Sequence, residues 1–190
     1  MRIIYKKEMP SGYSEFIYMY TTGPESILFN RGIPGNLKNI TRASIETDIT
    51  KSVNLKISKI TSNLIKNNWK KIRVDELDEV FLKILYPGDK RQDLNDAFME
   101  TMELRDRFMS KFESEINYHL LGFGYASDMG NEGANMLYYT FAVDEFINHA
   151  IELLSEEAIV NKFLVAVKEN GSNEWEVVFP EDYNKKFSIL

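Results

Sequence analysis

Ser127-Asp128-Met129-Gly130-Asn131-Glu132-Gly133 lies between two runs rich in β-branched and aromatic residues, 116–125 and 135–143. A polar turn with glycines between two such runs predicts an antiparallel hairpin with a longer loop. Downstream, residues 144–155 read as a helix. Phe146, Ile147, Ala150, Ile151 and Leu154 form one face, and Asp144 and Glu145 occupy the first turn, where the helix dipole favours negative charge. A strand follows at 162–168, then the turn Asn170-Gly171-Ser172-Asn173 and a returning strand at 175–179. Upstream, a long helix is expected from near Gln92 to about Glu113, with Leu94, Phe98, Met102, Phe108 and Phe112 as its apolar stripe. Before it, Asp75 reads as the N-cap of a short helix over 75–85. Leu77, Val80, Phe81 and Ile84 make its face, and Pro87-Gly88-Asp89 ends it.

The N-terminal third reads as strands. Residues 2–6, 16–21 (Phe16-Ile17-Tyr18-Met19-Tyr20-Thr21), 26–29 and 39–45 are strand candidates, with Pro10-Ser11-Gly12 and Arg31-Gly32-Ile33-Pro34-Gly35 as turn signals. Ile49, Val53, Ile57, Ile60 and Leu64 then recur at helical spacing, and Thr47 or Asp48 is placed to cap that helix. The alternation Val53, Leu55, Ile57 is a competing strand signal. Asn67-Asn68 ends the segment, with Trp69 packing behind it. The expected fold class is α+β. An N-terminal antiparallel sheet plus helix spans residues 1–73. A long helix and a ferredoxin-like hairpin, helix and strand half spans 74–190. The two form either separate units or one globular body.

Charge divides along the same line. Residues 1–73 hold 13 Lys/Arg against 5 Asp/Glu, and residues 74–190 hold 10 against 24, within a net charge of −6. Such asymmetry points to charged partners, or to two halves that neutralise each other. The chain has no cysteine, which removes disulfides and thiolate chemistry and favours a reducing compartment. No apolar run is long enough for a signal peptide or a membrane helix, so cytoplasm is expected and a membrane is not.

Catalytic motifs are missing. Gly122-Phe123-Gly124 starts a dinucleotide fingerprint, but Ser127 stands at its third glycine. No Gly-Lys-Ser/Thr triplet and no Gly-x-Ser-x-Gly occurs. Each of the two histidines follows a Glu by four residues, Glu115 before His119 and Glu145 before His149, a spacing that shares a face on a helix. The strand expected at 116–125 would instead hold Glu115 and His119 about 13 Å apart. Neither a metal nor a cofactor is therefore expected, and no catalytic residue is singled out.

Two stretches resemble known families. Residues 14–72 resemble a WGR domain through the strand at 16–20, Phe29-Asn30-Arg31 with glycines at 32 and 35, and a helix running to Asn67-Asn68-Trp69. Phe29 and Asn30 stand where the signature has Trp and Gly. Residues 94–182 look like the small α+β domains of bacterial toxin-immunity proteins. That likeness rests on the long acidic helix, the glycine-rich hairpin at 122–133, the helix opening Asp144-Glu145 and the closing Asn173-Glu174-Trp175-Glu176-Val177-Val178-Phe179-Pro180. The second resemblance implies a non-catalytic, immunity-type inhibitor that neutralises a cognate basic protein, such as a nuclease toxin, through an acidic surface. Asp128, Glu132, Glu174 and Glu176 are the expected contacts. The first implies an alternative, a nucleic-acid-associated regulatory module using Arg31, Lys56, Lys59, Lys66 and Lys70. A hydrolase of unrecognised type is a further alternative, and it needs a pocket of convergent acids or histidines.

Overall fold

The computed structural model describes residues 1–21, 26–46, 53–87, 94–156, 163–181, 183 and 187. The protein has an α+β fold of two antiparallel sheets and three helices, divided into two compact units, Met1–Glu76 and Leu77–Leu190. Among the described residues, no helix is long and apolar enough to cross a membrane.

The first unit is a meander closed by one helix. Strands β1 (Arg2–Glu8), β2 (Ser14–Thr21), β3 (Ser26–Gly32) and β4 (Thr41–Glu46) pair in sequence, helix α1 (Val53–Lys66) follows, and β5 (Lys70–Ile72) returns beside β1. The two-residue period of the strands puts Ile3, Tyr5, Ile17, Met19, Ile27 and Phe29 on one face. They pack with Ile57, Ile60 and Leu64 of α1. The Tyr5 hydroxyl donates to Thr61 Oγ1 across this interface at 2.9 Å. The helix ends where Asn68 takes a left-handed φ of 62° and the Trp69 N–H donates to the Leu64 carbonyl at 3.0 Å. Trp69 is thereby tucked into the core behind the helix.

The second unit runs β6 (Asp78–Leu85), α2 (Leu94–Tyr118), β7 (Gly122–Met129), β8 (Gly133–Thr140), α3 (Val143–Glu156), β9 (Phe163–Lys168) and β10 (Glu176–Phe179). Its sheet order is β10-β9-β6-β8-β7, antiparallel throughout. Without β10 this is the split β-α-β-β-α-β arrangement of the ferredoxin-like fold; β10 adds an edge strand. One sheet face, with Val80, Leu82, Ile84, Met136, Tyr138, Val165 and Val167, packs on Phe108, Phe112 and Ile116 of α2 and Phe146, Ala150 and Leu154 of α3. Phe112 is fully buried and meets Tyr138 and Phe146 edge-on, at centroid distances of 5.4 and 5.1 Å. On the other face Phe81, Leu164 and Ala166 are covered by Trp175, Val177, Tyr183 and Phe187. β8 lies so close to β6 at Gly133, with φ +155°, that a Cβ there would sit 1.9 Å from the Ile84 carbonyl oxygen.

Several expectations are overturned. Residues 78–85 form a strand, not a helix. Val80-Phe81-Leu82-Lys83-Ile84-Leu85 is a nearly continuous apolar run because β6 is the central strand, buried on both faces, and such a run also fits a helical face. The long helix runs past Glu113 to Tyr118, so the strand expected from 116 begins only at Gly122. Leu120, at a left-handed φ of 54°, makes the turn between them. Along α2, Thr101 and Ala97 are buried while Phe98 is 38% exposed, a rotation of the expected stripe. In the first unit α1 prevails over the strand alternation at 53–57. Thr47, Asp48, Ile49 and Gln92 lie outside the described residues.

Candidate functional site

The turn between β9 and β10 is tightly held. The Asn170 N–H donates to the Asp78 carboxylate at 2.7 Å, the Ser172 N–H donates to the Glu169 carbonyl at 2.9 Å, and the Glu174 N–H donates to Ser172 Oγ at 3.0 Å. This fixes Glu169, Glu174 and Trp175 beside the N-terminal turn of α3, and together they bound a groove of about 520 Å³. Its apolar lining is Val143, Ile147, Val167, Val178 and Trp175, and its acids are Asp144, Glu169, Glu174 and Glu176. All four acids are exposed, and among the described residues none forms an ion pair. A concave surface lined by charge of one sign above apolar walls focuses its field and concentrates counter-ions. Such a groove can take the alkyl stem of a lysine or arginine on its floor and the cationic head at its rim. Lys168 already stands 5.4 Å from the Trp175 ring centroid and is ion-paired with Glu79.

Of the four expected contact acids, Glu174 and Glu176 fall in this groove. Asp128 lies on β7, at the far edge of the sheet from β10, and Glu132 lies in the β7–β8 turn, where its carbonyl accepts from the Tyr86 N–H at the end of β6. Four strand spacings, about 19 Å, separate those edges. The hairpin acids have internal duties. Asp128 Oδ1 accepts from Asn135 Nδ2 at 2.8 Å, and Glu132 Oε2 accepts from Lys83 Nζ at 2.6 Å. The loop is also tied to Tyr86, whose hydroxyl donates to the Gly130 carbonyl at 2.9 Å. Asp144 and Glu169 complete the groove without having been singled out from sequence; only the α3 and β9–β10 juxtaposition reveals them.

The basic residues of the first unit divide similarly. Arg31 is held by Glu15 through two hydrogen bonds, 2.8 and 3.2 Å, with its guanidinium 5.2 Å from the Trp69 ring centroid. Lys70 pairs with Glu76 at 3.1 Å. Lys56 is half-buried, while Lys59 and Lys66 are exposed on α1 and unpaired among the described residues.

One group of potential metal ligands is present among the described residues: Glu115, His119 and His149. The expectation that Glu115 and His119 lie about 13 Å apart on a strand is wrong. Glu115 sits in the last turn of α2, and the His119 N–H still donates to the Glu115 carbonyl at 2.8 Å, so the helical spacing holds. Glu115 Oε2 lies 3.6 Å from His119 Nε2 and 3.8 Å from His149 Nε2, which arrives from α3. His149 thus faces Glu115 and not Glu145, the acid that precedes it by four residues on the same helix.

No family model, curated protein or solved structure matches this chain.

Proposed function

We propose that this is a non-catalytic protein-binding protein whose groove between α3 and the β9–β10 turn receives a cationic segment of a partner. The observation that carries this reading is the convergence of Asp144, Glu169, Glu174 and Glu176 on one apolar-floored groove, with no cation of the described residues paired to them. The second unit holds 10 Lys/Arg against 22 Asp/Glu, so its overall field also favours a basic partner. Complementary potentials of this kind raise association rates and select partners. The specific form favoured is an immunity-type inhibitor that covers the basic substrate groove of a bacterial nuclease toxin, in the cytoplasm. The absence of cysteine suits that reducing setting. The nucleic-acid reading has less behind it, since Arg31 and Lys70 are drawn into ion pairs and only Lys59 and Lys66 remain as exposed, unpaired cations of the five expected.

The test is a biosensor titration against the basic product of a neighbouring gene and against a lysine- and arginine-rich peptide. Binding should weaken with salt, and the charge reversals Glu174→Lys and Glu176→Lys together should lower affinity by at least about tenfold, mainly through the rim charges' effect on association. Asp128→Asn, at the far edge, should leave it unchanged. Binding indifferent to the Glu174/Glu176 reversal would remove the groove from consideration. Salt-dependent binding of a DNA duplex that Lys59→Glu abolishes would favour the alternative.

A further inference from the structure

The chain contains only two histidines, 30 positions apart in sequence; His119 directly follows the last residue of α2, and His149 lies on α3. The fold brings their rings to a centroid distance of 4.9 Å and sets one carboxylate oxygen against both. We propose that Glu115, His119 and His149 form a binding site for a divalent first-row transition-metal ion of the zinc type. Three features of the molecule carry the inference.

First, the Glu115 contacts are too long for hydrogen bonds and suited to an ion between them. At 3.6 and 3.8 Å they exceed the usual N–H···O range of about 2.7–3.2 Å. Ligand atoms about 2.1 Å from a tetrahedral zinc lie about 3.4 Å from one another. The three ligand atoms all lie within 4.8 Å of one another, so small side-chain rotations close the site. Second, His149 Nε2 is buried with no hydrogen-bond partner. Buried polar atoms are nearly always satisfied, and an orphan calls for a missing partner. Phe112 lies alongside the same ring, at a centroid distance of 6.3 Å and an interplanar angle of 25°. Third, the donor set is selective. Two imidazoles and one carboxylate suit zinc, cobalt or nickel, whereas calcium and magnesium want oxygen ligands throughout. The side chains of Glu115, His119 and His149 keep 41, 23 and 21% exposure, which leaves the outer coordination position to water. Three protein ligands with one open position differ from the closed, four-ligand sets of purely structural zinc.

The experiment uses untagged, chelator-treated protein. Zinc chloride is titrated by calorimetry, and cobalt chloride by visible absorption as a report of coordination geometry. One ion per chain is expected, with the ligand-field bands of a four- or five-coordinate site and a rise in unfolding temperature on zinc addition. His119→Ala, His149→Ala and Glu115→Gln should each lose saturable binding, with circular dichroism confirming that the apo fold persists. Should His149→Ala fail to fold, because it opens a gap beside Phe112, the more exposed His119→Ala decides the matter. Absence of saturable binding in the wild type overturns the proposal, as does one-to-one binding that survives His119→Ala.

Discussion

Glu132 and Lys83 make an ion pair whose two ends live in different solvents, and the two halves of the pair should respond unequally to removal. Lys83, in the central strand β6, has a side chain only 6% exposed, whereas Glu132 on the hairpin loop is 71% exposed. Breaking a fully buried pair from one side costs about 3–5 kcal/mol, because the remaining charge is stranded. An exposed pair is worth about 0.2–1 kcal/mol. Glu132→Ala strands the shielded ammonium but opens it partly to water, so the expected loss is intermediate, about 1.5–3 kcal/mol. Lys83→Met removes the shielded charge itself, leaves Glu132 in solvent and places an apolar chain opposite Leu164, so it should be neutral or stabilising. The assay is urea unfolding followed by fluorescence in a Trp69→Phe background. The remaining tryptophan, Trp175, then reports the second unit alone. With a urea dependence of about 2 kcal/mol per molar, Glu132→Ala should lower the midpoint by about 1 M. Equal losses in the two variants would refute the reasoning, since the ammonium would then be stabilising in its own right. The asymmetry also warns that a binding defect in Glu132→Ala would report on folding before it reports on any partner.

Gly133→Ala should destabilise the second unit by about 2–4 kcal/mol, read as a drop in the same Trp175 transition, because its Cβ meets the Ile84 carbonyl from a backbone conformation L residues avoid. Tyr5→Phe should cost the first unit about 1 kcal/mol by deleting its hydrogen bond to Thr61, measured by Trp69 fluorescence. Glu8, Glu76 and Glu156 have carboxyl groups held below the usual value, chiefly by hydrogen bonds from Lys6, the Arg73 backbone N–H and Lys111 respectively. The native state therefore binds fewer protons than the unfolded chain. Their contribution is complete above the unfolded value near 4.5 and lost as pH falls through the folded values. The unfolding temperature should fall with acid below that point, and less steeply in Lys111→Met.

The α+β class was legible because two signals agree. Period-two apolar residues mark the strands of the first unit, and period-3.6 residues mark α1 and α3. The 78–85 segment misled because a central strand must be apolar on both faces, and with Val80, Phe81 and Ile84 so spaced the same letters satisfy a helix. At 116–121 the aromatic and β-branched composition favoured a strand, but packing of Ile116, in the last turn of α2, against the sheet carried the helix onward to Tyr118, and local propensity yields to such burial. That one boundary hid the histidine cluster. The helical spacing of Glu115 and His119 was visible, yet the partner on α3 depends on α2 and α3 sharing a sheet face. Glu174 and Glu176 were legible as exposed acids in a turn-flanked strand. Their joining with Asp144 was not, because Asp144 lies 25 to 32 positions before the other three acids of the groove.

The second unit's earliest strand is also its middle one, which has consequences for a chain made from one end. Glu79 pairs with Tyr139 on one side and with Lys168 on the other, partners 60 and 89 positions later. At translation speeds of about 5–20 residues per second, Phe81 and Leu82 would wait about 4–17 s for both neighbours to be synthesised. The first unit, whose strands β1 to β4 pair as they appear, can order itself meanwhile. Ribosome-bound chains stalled before residue 163 should therefore recruit chaperones to the segment around β6.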